Sequence, residues 1–235
     1  MNFKEQKLIG VIVPAHNEEE LIGACLESIA AASRCTGLQG ERVRVVVVCD
    51  HCSDGTALVA RQLQVETLKL SARNVGQARA AGAEHALLAG ARWLAFTDAD
   101  TLVSPQWLSE QLALDADAVC GTIGVAQWAS YGRRMQEHFS LTYTDRDGHS
   151  HVHGANLGVG AKAYRRAGGF KALTSSEDVA LVEALKASGA RIAWSARPRV
   201  TTSAREDFRA PGGFGAILSR IERHGAWGSS SVPAA

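Results

Sequence analysis

The sequence predicts an α/β fold with a mostly parallel central sheet and helices on both faces. Three observations carry this expectation. Short apolar runs rich in β-branched residues alternate with segments of helical periodicity. Successive runs end in polar residues, as strands do where an open parallel sheet meets its ligand crevice. The chain is 46% apolar and 21% charged, enough to build a core over 235 residues.

The elements follow in order. Leu8 to Val13 is an apolar run stopped by Pro14, which reads as a buried strand. Leu21, Ile22, Cys25, Leu26 and Ile29 then recur at helical spacing, with Glu18, Glu19 and Glu20 placed as a first turn. Val43 to Cys49 is a second strand, and Ser53-Asp54-Gly55-Thr56 supplies a turn and the start of a helix running towards Leu63. Val65 to Leu70 is a third strand, an alanine-rich helix spans Gly76 to Leu88, and Trp93 to Thr97 is a strand ending at Asp98-Ala99-Asp100. Beyond Pro105 the rhythm is less regular. A helix is expected from Gln106 to Leu114, a strand from Val119 to Val125, a solvated polar loop from Tyr143 to His153, a glycine-rich stretch from Gly154 to Gly169, and a helix from Glu177 to Lys186.

Bulk properties narrow the function classes. The net charge of +1 comes with scattered Lys and Arg, which speaks against nucleic acid as a partner. No apolar stretch reaches the roughly 20 residues of a membrane span, and the start lacks a signal-peptide pattern, so a cytoplasmic protein is expected. Five cysteines, an odd number, read as reduced thiols. Cys49-Asp50-His51-Cys52 matches C-x-x-C, but no second pair follows to complete a zinc site, and redox chemistry is not expected of it. One domain over residues 1–228 is expected, in two halves at about 1–103 and 104–228, with a flexible tail at 229–235.

The polar residues ending the strands are His16 and Asn17, then Asp50 and Asp54, then Asp98 and Asp100. The last two stand two apart, so at a strand end both can project into one cleft, and hard oxygen ligands of this kind suit Mg²⁺ or Mn²⁺ bridged to a diphosphate. The competing reading makes Asp100 and Ser104 caps for the helix after Pro105. No G-x-G-x-x-G follows the first strand and no P-loop occurs, so a dehydrogenase and a P-loop enzyme are excluded; a metal, helped by a cation such as Arg79, would neutralise phosphate instead.

Taken as a set, VIVPAHNEE, VVVVCDHCSDGT, NVGQARAAG, FTDAD and SSEDVAL resemble the inverting glycosyltransferases of family 2, which have the Rossmann-like GT-A fold. The resemblance runs from about Leu8 to Ser188. It implies that Pro14, Ala15, His16 and Asn17 line the nucleotide base, that Asp50 hydrogen-bonds the base, and that Arg79 approaches the diphosphate. It makes Asp100 the main metal ligand, with Asp98 nearer the ribose or sugar, and Asp178, beside Glu177, the group that deprotonates the acceptor. Gly154, Ala155 and Asn156 fall where the family contacts donor sugar and acceptor. Two departures stand out: Cys49 precedes Asp50 where the family often carries a second acidic residue, and the Q-x-x-R-W motif of membrane polymerases has only a faint echo in Arg223 to Trp227.

The reaction expected is metal-dependent transfer from a nucleoside diphosphate sugar, uridine-linked, to a hydroxyl of a saccharide, lipid-linked or small-molecule acceptor. A retaining transferase, a sugar-nucleotide pyrophosphorylase and a silent nucleotide-sugar-binding module are the alternatives. Among the histidines at 149, 151 and 153, His153 is the candidate metal ligand because it adjoins the glycine-rich stretch. Trp128 is a candidate for stacking on a sugar ring, against plain packing, and Arg133 and Arg134 mark either a basic edge or a solvated helix start.

Overall fold

The computed structural model describes residues 7–125, 128 and 131–204. The expected tail at 229–235, Trp227 and the Arg223 to Trp227 echo lie outside the described residues. Four parallel strands make up one side of the sheet: β1 (Leu8–Ala15), β2 (Arg42–Asp50), β3 (Glu66–Leu70) and β4 (Ala91–Phe96). The other side holds β5 (Leu102–Val103), β6 (Ala118–Val125), β7 (Leu157–Gly160) and β8 (Ile192–Thr202). The order is β3-β2-β1-β4-β7-β6-β8-β5.

Strand β1 sits inside the sheet because its residues can be buried on both faces, and it pairs in parallel with β2 and β4. Strand β7 is the point of change, running antiparallel to both β4 and β6. Its four residues, Leu157 to Gly160, lie inside a glycine-rich stretch and show no strand period. Strand β8 pairs parallel to β6 across a register shift between Gly121 and Ile123.

Helices cover both faces. One face packs α1 (Ile22–Ser33), α2 (Thr56–Gln62) and α4 (Trp107–Ala113) on a core containing Ile9, Val11, Trp93 and Trp107. The other packs α3 (Val75–Leu88), α6 (Ala161–Ala167) and α7 (Glu177–Ala187) on Ile12, Phe96, Leu157 and Leu181. The alanine-rich composition of α3 lets it lie close on the sheet, and Asn74 caps it by accepting the Gln77 N–H at 2.8 Å. Helix α5 (Arg133–Thr142) begins at Arg133, which settles that residue and Arg134 at a helix start.

Two expectations need correction. Glu18 to Glu20 precede α1 rather than forming its first turn, because the helix begins at Ile22; Glu19 reaches across to accept the Gly55 N–H instead. The segment from Tyr143 to His153 is solvated only at residues 145–148 and 150, and its histidines face inward. His149, His151 and His153 are 4%, 7% and 5% exposed, and their rings stack in succession with Tyr143. No described helix is long and apolar enough to cross a membrane.

Candidate active site

The loops after β1 and β2 are laced together. Asn17 Oδ1 accepts the Ser53 N–H at 2.8 Å, the Glu18 N–H donates to Thr56 Oγ1 at 2.8 Å, and the Glu19 N–H donates to Asp54 Oδ2 at 3.1 Å. Burial opposes the charge on Asp54, yet hydrogen bonds from the Thr56 hydroxyl, the Thr56 N–H and the Glu19 N–H hold its pKa below the ordinary carboxylate value. Four residues without the freedom of glycine take positive φ around this rim: Asn17 at 55°, His51 at 55°, Arg73 at 49° and Ser176 at 59°. Backbone of this kind persists only where its surroundings fix it.

Asp50 closes the next loop. Its carboxylate accepts the N–H groups of Ala72 at 2.7 Å, Arg73 at 3.0 Å and Asn74 at 2.7 Å. Three of its lone-pair directions are thus spent on the approach to α3. His16 meets the same strand end through Nδ1 and the Asp50 carbonyl at 2.7 Å, and its ring stacks on His51. Arg73, which the motifs did not single out, lies against His51. A cation directly after a strand and before a helix N-terminus was the signal for it.

At the end of β4 the carboxylates of Asp98 and Asp100 are both partly exposed. The capping alternative fails, because α4 begins after Gln106 with no side-chain cap. Arg79 does not line the open crevice: only 4% exposed, its guanidinium bonds Asp98 Oδ1 at 2.6 Å and Glu177 Oε1. Burial works against its charge, but Asp98, Glu177 and Asp178 outweigh that and keep it protonated. Gly154 makes this possible, since a Cβ there would stand 2.3 Å from an Arg79 nitrogen.

Asp178 completes the cluster. Its Oδ2 accepts the Gly154 N–H at 2.7 Å and its Oδ1 accepts its neighbour Val179 N–H at 2.8 Å. Placement in the first turn of α7 favours the anion, but burial wins, helped by nearby Glu177 and opposed by Arg79, and the pKa is pushed up to about 6. Hydrogen bonds join Asp98, Arg79 and Glu177 in one set and Asp178 with Gly154 in another, and the two sets meet where Asp178 follows Glu177 in the chain and Gly154 packs on Arg79.

Three expected site residues have other neighbours. Asn156 is 1% exposed: its Nδ2 donates to the Thr122 and Pro198 carbonyls at 2.7 and 2.9 Å, and its Oδ1 accepts the Trp107 indole N–H at 2.9 Å. It ties β6, β8 and α4 together from below, and Gly121 leaves it the space. His153 Nε2 pairs with the Tyr143 hydroxyl at 2.9 Å, and burial lowers its pKa to about 3. Trp128 packs edge-on against Phe139.

Metal fit can be judged from the donors. Among the described residues no group of three His, Cys, Asp or Glu could hold an ion. Asp98 and Asp100 offer hard oxygen donors only, and one Asp98 oxygen is taken by Arg79. Such a sparse carboxylate set suits Mg²⁺ or Mn²⁺, which keep waters and bind substrate phosphate oxygens.

The fold is shared with known proteins. The structure is similar to Staphylococcus aureus TarS 1-349 in complex with UDP-GlcNAc, with a TM-score of 0.66 at 17% identity over 91% of this chain and 64% of that one. It is also similar to the mannosyltransferase PcManGT from Pyrobaculum calidifontis in complex with GDP-Man and Mn²⁺, with a TM-score of 0.65 at 20% identity over 92% of this chain and 60% of that one. The chain thus spans less than two thirds of either neighbour's length, and the likeness shows a shared GT-A fold. No curated protein matches it. The family model described as Glycosyl transferase family 2 matches residues 10–173, well over half the chain, and the chain belongs to that family.

Proposed function

We propose that this chain transfers a glycosyl group from a nucleoside diphosphate sugar, uridine-linked, to a hydroxyl acceptor with inversion at the anomeric carbon. The observation that carries the reading is the meeting of two sets, Asp98, Arg79 and Glu177 with Asp178 and Gly154, at the carboxyl edge of the sheet. Family membership and neighbours holding UDP-GlcNAc and GDP-Man support it.

In this reading residues up to 103 form the nucleotide half, and Pro14 to Asn17 line the base. Asp100, with the free side of Asp98, would hold Mn²⁺ or Mg²⁺, which when bound supplies positive charge to the departing diphosphate. Arg79 orients Asp98 from below rather than touching phosphate, and it holds Glu177 as its partner. Asp178 accepts the acceptor's hydroxyl proton as the new bond to the anomeric carbon forms and the bond to the diphosphate breaks. One displacement inverts the centre, so no enzyme nucleophile takes part. A carboxylate with its pKa near 6 is a stronger base than an ordinary one and is still ionised at pH 7.

Calorimetry tests the donor side. UDP should bind weakly in chelator and more tightly with Mn²⁺ or Mg²⁺, GDP should bind less well, and Asp100→Ala should erase the cation effect. Equal affinity with and without the cation removes the metal from the mechanism, and GDP preferred over UDP corrects the base.

A further inference from the structure

The C-x-x-C segment bends back on itself. His51, in the left-handed region, turns the chain directly after β2, so the Cys52 side chain returns over the strand end to Ala15, which is the register partner of Cys49 on β1. Cys52 also bridges to β1. Its Sγ accepts the Asn17 N–H at 3.4 Å, and its thiol donates to the Ala15 carbonyl at 3.3 Å. The two sulfurs differ in access, Cys52 being half-buried and Cys49 only 4% exposed. Among the other cysteines, Cys25 and Cys120 are buried and Cys35 is half-buried beside Ser109.

We propose that Cys49 and Cys52 form a reversible dithiol–disulfide couple, oxidised by a peroxide, whose closure frees the Ala15–Asn17 loop and weakens nucleotide binding. The nucleotide part rests on the function proposed above. The Asn17 N–H aimed at the Cys52 sulfur favours its thiolate once the thiol proton leaves. The Cys52 thiolate attacks the peroxide: an S–O bond forms, the O–O bond breaks and hydroxide leaves. Cys49 sulfur then attacks the sulfenic sulfur, an S–S bond forms, and water departs with the Cys49 thiol proton. Two thiols are oxidised, one peroxide is reduced to two waters, and a dithiol reductant reverses the change.

Geometry gives this closure its consequence. A sulfur bound to Cys49 has no S–H to give the Ala15 carbonyl and is a poorer acceptor for the Asn17 N–H, so the β1 loop loses both ties to the β2 loop at that point. Asn17 keeps its bond from Ser53, so the loop loosens without leaving the sheet.

The test uses the full chain, hydrogen peroxide as probe, and peptide mass mapping after alkylation. The peptide holding Cys49 and Cys52 should lose two hydrogens and regain them with dithiothreitol. Cys49→Ser should stop at a sulfenic acid on Cys52 that a cyclic 1,3-dione traps, and Cys52→Ser should leave Cys49 unoxidised. Exchange of the Asn17 amide should quicken on oxidation, and UDP affinity with Mn²⁺ should drop about tenfold. Oxidation of Cys35 while the pair stays reduced overturns the proposal, and so does a disulfide that leaves Asn17 exchange unchanged. A disulfide with quicker exchange but unaltered UDP affinity overturns the control of binding. If the reduced protein binds neither UDP nor GDP, the proposed function has failed, while mass and exchange still decide the couple.

Discussion

The two halves of the crevice solve the same problem by opposite means. Around β1, β2 and β3 polar residues hold loops by side-chain bonds to neighbouring backbone, Asn17 and Asp54 from a partly exposed rim and Asp50 from beneath it at 5% exposure. Around β6, β7 and α7 the polar residues are inside: His149, His151, His153, Asn156, Glu177 and Asp178 are all less than 9% exposed. Rim residues answer to water and adapt cheaply. Interior ones have lost water, and burial shifts the pKa values of the three histidines and Asp178. Base chemistry and acid sensitivity should therefore belong to the second half, and ligand-dependent adjustment to the first.

The sharpest way to break this contrast is Asp178→Asn. It should cost about 10²–10⁴-fold in transfer to an identified acceptor while leaving UDP binding in place. In the parent, the transfer rate should rise with pH through about 6 as Asp178 loses its proton. The stability term has the opposite sense: a carboxyl whose folded pKa is raised from 3.8 favours the fold when protonated, and that contribution is lost as pH climbs through about 6. Near-parental transfer by the variant would reduce Asp178 to a helix-end residue.

Asn156→Ala should come next, destabilising the fold by about 3 kcal/mol, because it strands two buried carbonyls and an indole N–H together. Chemical denaturation measures it, and a change under about 1 kcal/mol would show that Asn156 is not the tie between β6, β8 and α4.

The histidine stack gives a pH test. Burial lowers the pKa of all three, His153 from 6.5 to about 3. Such groups support the fold fully above pH 6.5, and that support drains as pH falls from there towards 3. His153→Phe should flatten the acid limb of the melting curve against pH, although it forfeits the Tyr143 bond. An unchanged limb would place the acid sensitivity elsewhere.

The smallest effect is expected on the rim. Asn17→Gly keeps the left-handed backbone but removes the acceptor for Ser53, and should cost about 0.5–1.5 kcal/mol in stability with a modest loss of UDP affinity. A loss as large as that of Asn156→Ala would erase the distinction between rim and interior.

Much of the first half was legible in the chain. Apolar runs with polar ends locate β1, β2 and β4 to within a few residues, and the small residues of α3 mark a helix pressed on the sheet. The short pieces were not legible, and neither was β8, 11 residues long but broken in pattern by Arg197, Pro198 and Arg199. β5 has two residues and β7 four, too few for any period to show, and β7 exists because β4 and β6 leave an edge for it on either side. The donor-side polar residues were readable as a row of strand ends, whereas the roles of Arg79 and Asn156 depend on which atoms lie within reach.

What the sequence determined by itself was local: where most of the first hundred residues extend or coil, and which carboxylates stand together as Asp98 with Asp100 and Glu177 with Asp178 do. Only the tertiary structure decided which polar groups would lose water. His149, His151 and His153 alternate along the chain in a pattern equally suited to solvent, and the packing of Tyr143 and Trp194 against them made it an interior. Likewise, Glu177 and Asp178 are neighbours of the same chemistry, yet one is matched to Arg79 and the other, set against the Gly154 and Val179 N–H groups, is left with a raised pKa. The reason is that periodicity encodes which face of an element is apolar, while desolvation and pairing are fixed by contacts between elements far apart in the chain.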